Sequence, residues 1–210
     1  MIATDAPEDI YELSPAQNGM LFHDRLAPGS GVYVVQFVCT LEGDLDEASF
    51  EKAWGRVAAR HAILRTAFHW QELEKPLQVV NRHVQIPFTH ADWRGMEAAE
   101  RASRLAQVLA ADRRRGFELD YAPLMRYALY RTSQRAYEFV WTFHHILLDG
   151  WSTSLVLREV LISYEYIRRG SSPVLVSARG FGEFIGWLQD QDSIKAADFW
   201  KGMLNGYSVP

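Results

Sequence analysis

Two neighbouring histidines, His144 and His145, precede an aspartate-glycine pair, Asp149 and Gly150, in the stretch YEFVWTFHHILLDGWS that runs from Tyr137 to Ser152. Imidazole can take up and return a proton near neutral pH. At the end of a buried strand, an imidazole and a carboxylate beside a glycine are an economical way to build a reactive site. The same residues read equally as histidines satisfied by their neighbours and as an ordinary turn at a strand end. Successive strand residues face opposite ways, so the two rings are not expected to share a metal ion, and no metal site is expected. Arg65 stands out because it lies inside the apolar run HAILRTAF and needs a carboxylate if it is buried. Arg60 and His61 read as a solvated helix end. The single Cys39 reads as a small core residue. Ser152 and Ser154 lack the G-x-S-x-G elbow of a serine hydrolase, and no glycine spacing matches a P-loop or a dinucleotide fingerprint.

The elements around these side chains must hold them in place. Tyr137, Phe139, Trp141 and Phe143 alternate with Glu138, Val140, Thr142 and His144, the period of a strand with at least one buried face. If the strand continues one residue further, His145 joins the aromatic side and His144 points away. A helix follows from Ser152 to Arg168, with Leu155, Val156, Val160, Leu161 and Tyr164 as its inner face. Upstream, after a loose acidic leader from Met1 to Asp9, Ser14 caps a helix that starts at Pro15 and turns Leu21, Phe22 and Leu26 inward. Further strands are predicted over Val32–Val38, Leu77–Val80, Val84–Phe88 and Pro123–Tyr130. Further helices are predicted over Asp46–His61, Ala91–Arg114, Phe181–Gln191 and Ser193–Leu204, with a Gly-Ser-Ser-Pro loop from Gly170. Mixed elements with a hairpin turn at Thr132–Arg135 predict an α/β sandwich, a mixed sheet packed by helices.

The chain has 210 residues and a net charge of −4, which argues against a nucleic-acid partner or an anionic membrane surface. One cysteine allows no internal disulfide. No apolar run reaches spanning length, and the opening is acidic, unlike a signal peptide; a cytoplasmic protein with no membrane partner is expected.

Four ordered blocks resemble the condensation domains of non-ribosomal peptide synthetases. HHILLDG fits their HHxxxDG motif, LSPAQNGMLFH is similar to their opening helix motif, and RHAILRTAF to their RHxxLRT block. FGEFIGWLQDQ followed by AADFWKGMLNGY resembles the segment that closes the first half of such domains. The resemblance implies a chloramphenicol acetyltransferase-like fold of two lobes, with residues 1–210 forming the N-terminal lobe, the C-terminal lobe absent, and an apolar patch on the shared wall. It implies amide formation between a thioester donor and an aminoacyl acceptor, each carried on the phosphopantetheine arm of a peptidyl carrier protein, with no tightly bound cofactor. Carried over to matching positions, His145 is the catalytic residue and His144 a support residue. Asp149 is a structural carboxylate paired with Arg65, Gly150 offers space and a backbone amide to the oxyanion, and Trp151 packs beneath the loop. An epimerization domain of the same fold, a stand-alone HxxxD acyltransferase on a diffusible thioester, and a non-catalytic docking module are the other readings. A heterocyclization domain expects aspartate where the histidines stand, so that reading fails.

Overall fold

The computed structural model describes residues 6–171 and 175–207, so most of the acidic leader and the end of the Gly-Ser-Ser-Pro loop lie outside the described residues. In chain order the elements are β1 (Asp9–Glu12), α1 (Pro15–Leu26), β2 (Val34–Glu42), α2 (Glu47–Arg60), a 3-10 turn (Ala62–Arg65), β3 (Thr66–His69) and β4 (Leu77–Val80). They continue with β5 (Phe88–Asp92), α3 (Ala98–Arg115), β6 (Met125–Ser133), β7 (Ala136–His144), α4 (Gly150–Arg168), α5 (Phe181–Gln189) and α6 (Ser193–Met203). The main sheet has the order β2-β7-β6-β5 and a small sheet the order β1-β4-β3. Among the described residues only β5 and β6 pair in parallel; the other pairs are antiparallel.

The alternation of β7 explains why it is central. Its odd residues, Tyr137 to Phe143, enter the core beside Phe50, Trp54 and Val57 of α2 and Val156, Val160 and Tyr164 of α4. Aromatic edges set this layer: Phe50 meets Phe139 edge-on at 5.3 Å, and Trp54 meets Trp141 at 4.8 Å between ring centres. On the other face Val140 joins Trp93, Ala128 and Tyr130 beneath Leu105, Val108 and Leu109 of α3. Both faces of the main sheet are therefore covered, α2 and α4 on one side and α3 on the other. This is the α/β sandwich expected from the sequence. Cys39 is half-buried against the main core, and burial pushes its thiol pKa up.

Several elements sit differently from their sequence reading. The strand expected over Val84–Phe88 lies instead at Phe88–Asp92, and α3 starts at Ala98 rather than Ala91. Pro87 has no N–H to give a ladder, but its carbonyl accepts from the amide of Tyr127 at 3.0 Å and so leads the strand in. Asp92 then caps the amide of Arg94 at 3.0 Å, a turn that keeps the helix from starting there. On α1, Gln17 and Leu21 share the buried face, leaving Phe22 and Leu26 exposed. Leu155 and Leu161 of α4 are likewise exposed, while Val156, Val160, Ser163 and Tyr164 are buried.

Candidate active site

The strand β7 ends at His144, one residue earlier than the sequence reading allowed, and His145 stands in the turn that follows. Three backbone amides of that turn have partners that explain the bend. The amide of His145 extends the ladder to the carbonyl of Tyr33 at 2.8 Å, and the amide of Leu147 closes the turn on the carbonyl of His144 at 3.1 Å. The amide of Ile146, which a strand partner would otherwise hold, donates to Nδ1 of His144 at 3.2 Å. His144 is 1% exposed. Because Nδ1 accepts, the neutral ring carries its proton on Nε2. Burial, with the His145 ring beside it, pushes the pKa of His144 down to about 4. Its Nε2 lies 3.6 Å from Oδ1 of Asp24, beyond hydrogen-bond range, and burial alone raises the Asp24 carboxyl.

His145 is half-buried, and its Nδ1 lies 2.7 Å from the carbonyl of Leu148. A carbonyl can only accept, so Nδ1 is the protonated nitrogen and the lone pair of the neutral ring is on Nε2. One nitrogen is thus fixed by the protein, and the other is the ring's base. Among the described residues no group of three His, Cys, Asp or Glu side chains is placed to hold a metal ion.

Asp149 does not pair with Arg65. It is the N-cap of α4, its carboxylate accepting from the amide of Ser152 at 2.7 Å. The bonds from Ser152 lower its pKa, and His145 adds a smaller electrostatic pull in the same direction. This cap is why α4 begins at Gly150, two residues ahead of the sequence reading. Gly150 has open space where a Cβ would stand, and its backbone is not left-handed, so nothing among the described residues demands glycine there. As the first residue of α4 it has no intrahelical partner for its amide. Trp151, expected beneath the loop, is 79% exposed: it lies on the side of α4 turned away from Val156 and Val160.

Arg65 is buried, as its apolar surroundings required, but its carboxylate comes from Glu8. The guanidinium grips Glu8 through two bonds of 2.8 and 3.2 Å and also donates to the carbonyls of Ala58, Asn81 and Arg82. The Arg65 bond holds the Glu8 carboxyl below its ordinary range. Asp149 is committed to its helix, and Glu8, just ahead of β1, reaches Arg65 because its amide is tied to the carbonyl of Val80 at the end of β4. Arg60 and His61 are not free at a solvated helix end either. Both converge on Glu159 of α4, at 3.0 and 2.8 Å, and fasten α2 to α4.

Sequence reasoning missed Glu8, Gln17 and Gln78 near this machinery. Gln17 is buried, and its amide donates to the carbonyl of Ile146 at 3.3 Å. The S-x-x-Q spacing of Ser14 and Gln17, a capping box, was the available signal. A cavity of about 850 Å³ lies beside the site, walled by Leu147, Leu148, Ser152, Leu155, Phe184 and Trp187. A larger one of about 1010 Å³, between His69 and Arg126, touches none of the candidate residues. Neither is lined by His145.

The profile of the condensation domain matches residues 7–209. A linear gramicidin synthase of Brevibacillus parabrevis is 46% identical over 203 residues, 97% of this chain and 4% of that protein. Bacitracin synthase 3 of Bacillus licheniformis is 42% identical over 200 residues, 95% of this chain and 3% of that protein. Among solved structures, the starter condensation domain of rhizomide synthetase superposes with a TM-score of 0.81 at 22% identity. That match covers 97% of this chain and 51% of that one. The first condensation domain of the calcium-dependent antibiotic synthetase, in complex with a substrate analogue, superposes with a TM-score of 0.83 at 18% identity over 97% of this chain and 50% of that one. The chain therefore spans a small part of the curated relatives it matches and about half of these solved chains.

Proposed function

The chain belongs to the condensation-domain family, and from that premise we propose that it is the motif-bearing N-terminal lobe of a domain that forms amide bonds in non-ribosomal peptide synthesis. The donor is an acyl or peptidyl thioester and the acceptor an aminoacyl thioester, each brought on the phosphopantetheine arm of a carrier protein. The acceptor nitrogen forms a bond to the donor carbonyl carbon, the carbon–sulfur bond breaks, and the donor arm leaves as a thiol with the proton that the amine gives up. The observation that carries this reading is the Nδ1–H of His145 on the Leu148 carbonyl, which leaves Nε2 as the lone pair able to hold the amine and take its proton. Asp149 supports the reading from behind, by capping α4 and so fixing the turn that carries His145. The Gly150 amide, outside the helical ladder, suits the oxygen that becomes negative as the carbonyl is attacked. Half-buried His145 lies outside both cavities described above, which fits a site completed by the facing lobe.

The test uses the two-lobed domain that contains this chain, with donor- and acceptor-loaded carrier proteins and product read by mass spectrometry. A new amide that needs both loaded carriers is expected, with a loss of roughly 10²–10⁴-fold for His145→Ala, the usual scale for an acid–base residue. Transfer from a free coenzyme A thioester, without a donor carrier, would point to an acyltransferase on diffusible thioesters instead. A folded domain that forms no product from any donor would leave the docking-module reading.

A further inference from the structure

The turn that carries His145 is tied to the start of the chain by a pair of buried amides. Gln17 is 4% exposed and Gln78 is 0% exposed. Oε1 of Gln17 accepts from the amide of Ser14 at 2.9 Å and from Nε2 of Gln78 at 3.0 Å. Its Nε2 donates to the carbonyl of Ile146 and to Oε1 of Gln78, both at 3.3 Å. Ser14 N–H can only donate and the Ile146 carbonyl can only accept, so the orientation of the Gln17 amide is fixed by its partners. Both its hydrogens and both its acceptor positions are used. Gln78 is held in turn by its bond to the carbonyl of Glu12 at 3.0 Å.

An apolar side chain would fill such a position without the cost of burying an amide. What the amide adds is direction. We propose that Gln17, backed by Gln78, is a positioning residue for His145: by holding the Ile146 carbonyl it keeps the following peptide aligned, so that the Leu148 carbonyl stays on Nδ1 of His145 and the lone pair stays on Nε2. The inference rests on the reading of His145 as the catalytic base and names the residue that decides which of its nitrogens is basic. Two contacts grip consecutive peptide groups of the turn, His144 on the Ile146 amide and Gln17 on the Ile146 carbonyl. Loss of either frees the peptide to rotate, and with it the Leu148 carbonyl.

Gln17→Glu separates aiming from folding. Glutamate is an equal partner in a capping box, so the bond to the Ser14 amide survives, but a carboxylate has no hydrogen for the Ile146 carbonyl. Long-range nitrogen–proton NMR of the 210-residue chain reads the His145 tautomer directly. The wild type should show a single Nδ1–H form, and Gln17→Glu a mixture of the two. Gln17→Met, of similar length and uncharged, gives the same reading if the glutamate variant does not fold. In the two-lobed domain the same substitution should lower kcat by roughly tenfold to a hundredfold, with KM for the loaded carriers unchanged. A wild-type Nε2–H tautomer, or an unaltered Nδ1–H form in a folded Gln17 variant, would overturn the inference whatever the activity. A tautomer that shifts as expected in a domain indifferent to His145→Ala would keep the Gln17 clamp and remove the catalytic reading.

Discussion

His144 is held neutral in the fold but titrates near 6.5 once the chain unfolds, so it makes stability depend on pH. Its folded pKa, about 4, lies below its unfolded value, so between those two pH values the unfolded chain binds the proton first. The contribution is therefore complete above pH 6.5 and is lost as pH falls towards 4, by about 3 kcal/mol in all. Protonation would also put a hydrogen on the nitrogen that receives the Ile146 amide. His144→Asn places a non-titrating acceptor where Nδ1 stands. Urea unfolding at about pH 7 and about pH 5 should show a smaller pH dependence for the variant than for the wild type. Equal slopes would mean that His144 already carries a charge in the fold.

At the level of elements, the corrected partnership of Arg65 has a measurable signature. A double-mutant cycle between Arg65→Met and Glu8→Ala should show a coupling of about 0.5–1.5 kcal/mol, modest because Glu8 is partly solvated. The cycle between Arg65→Met and Asp149→Ala should show less than about 0.5 kcal/mol, since their side chains hold different elements. A coupling of about 3 kcal/mol there would restore the Arg65–Asp149 pair implied by resemblance. The contrast marks what the sequence could convey. The residues of α2 that meet the core, Phe50, Trp54, Val57 and Ala58, were legible because their spacing repeats at the helical period, and β7 because its aromatic alternation is long. β4 is short but legible in its β-branched LQVV run. β1 (DIYE) lies in the acidic opening and β3 (TAFH) runs on from the apolar stretch after α2, and pairing with β4 makes them strands. That Arg65 needed an acid was legible; which acid was not, because Glu8 is brought to it by the ladder between β1 and β4. The catalytic candidate was visible as a residue type in a motif, whereas its tautomer depends on a carbonyl three positions on that only the folded turn aims.

Over the whole molecule, the proposed division into lobes sets the expectation for the chain by itself. Supplied with both loaded carriers, the 210-residue chain should fold and yield no amide by mass spectrometry, because His145 then lacks the facing wall of the channel. Amide formed by this chain alone would show that the site is complete within it. Trp151 of α4, Trp187 of α5, and Phe199 and Trp200 of α6 expose their rings. Among the described residues no helix is long and apolar enough to cross a membrane.

The bond from Gln17 to Ile146 spans 129 positions of sequence. Synthesis proceeds at about 5–20 residues per second, so Gln17 is made about 6 to 26 s before the carbonyl it must grip. During that interval Gln17 lacks one of its partners, and β1 waits for β4. The clamp on the active-site turn thus forms only after α1 and the much later residue Ile146 are both made.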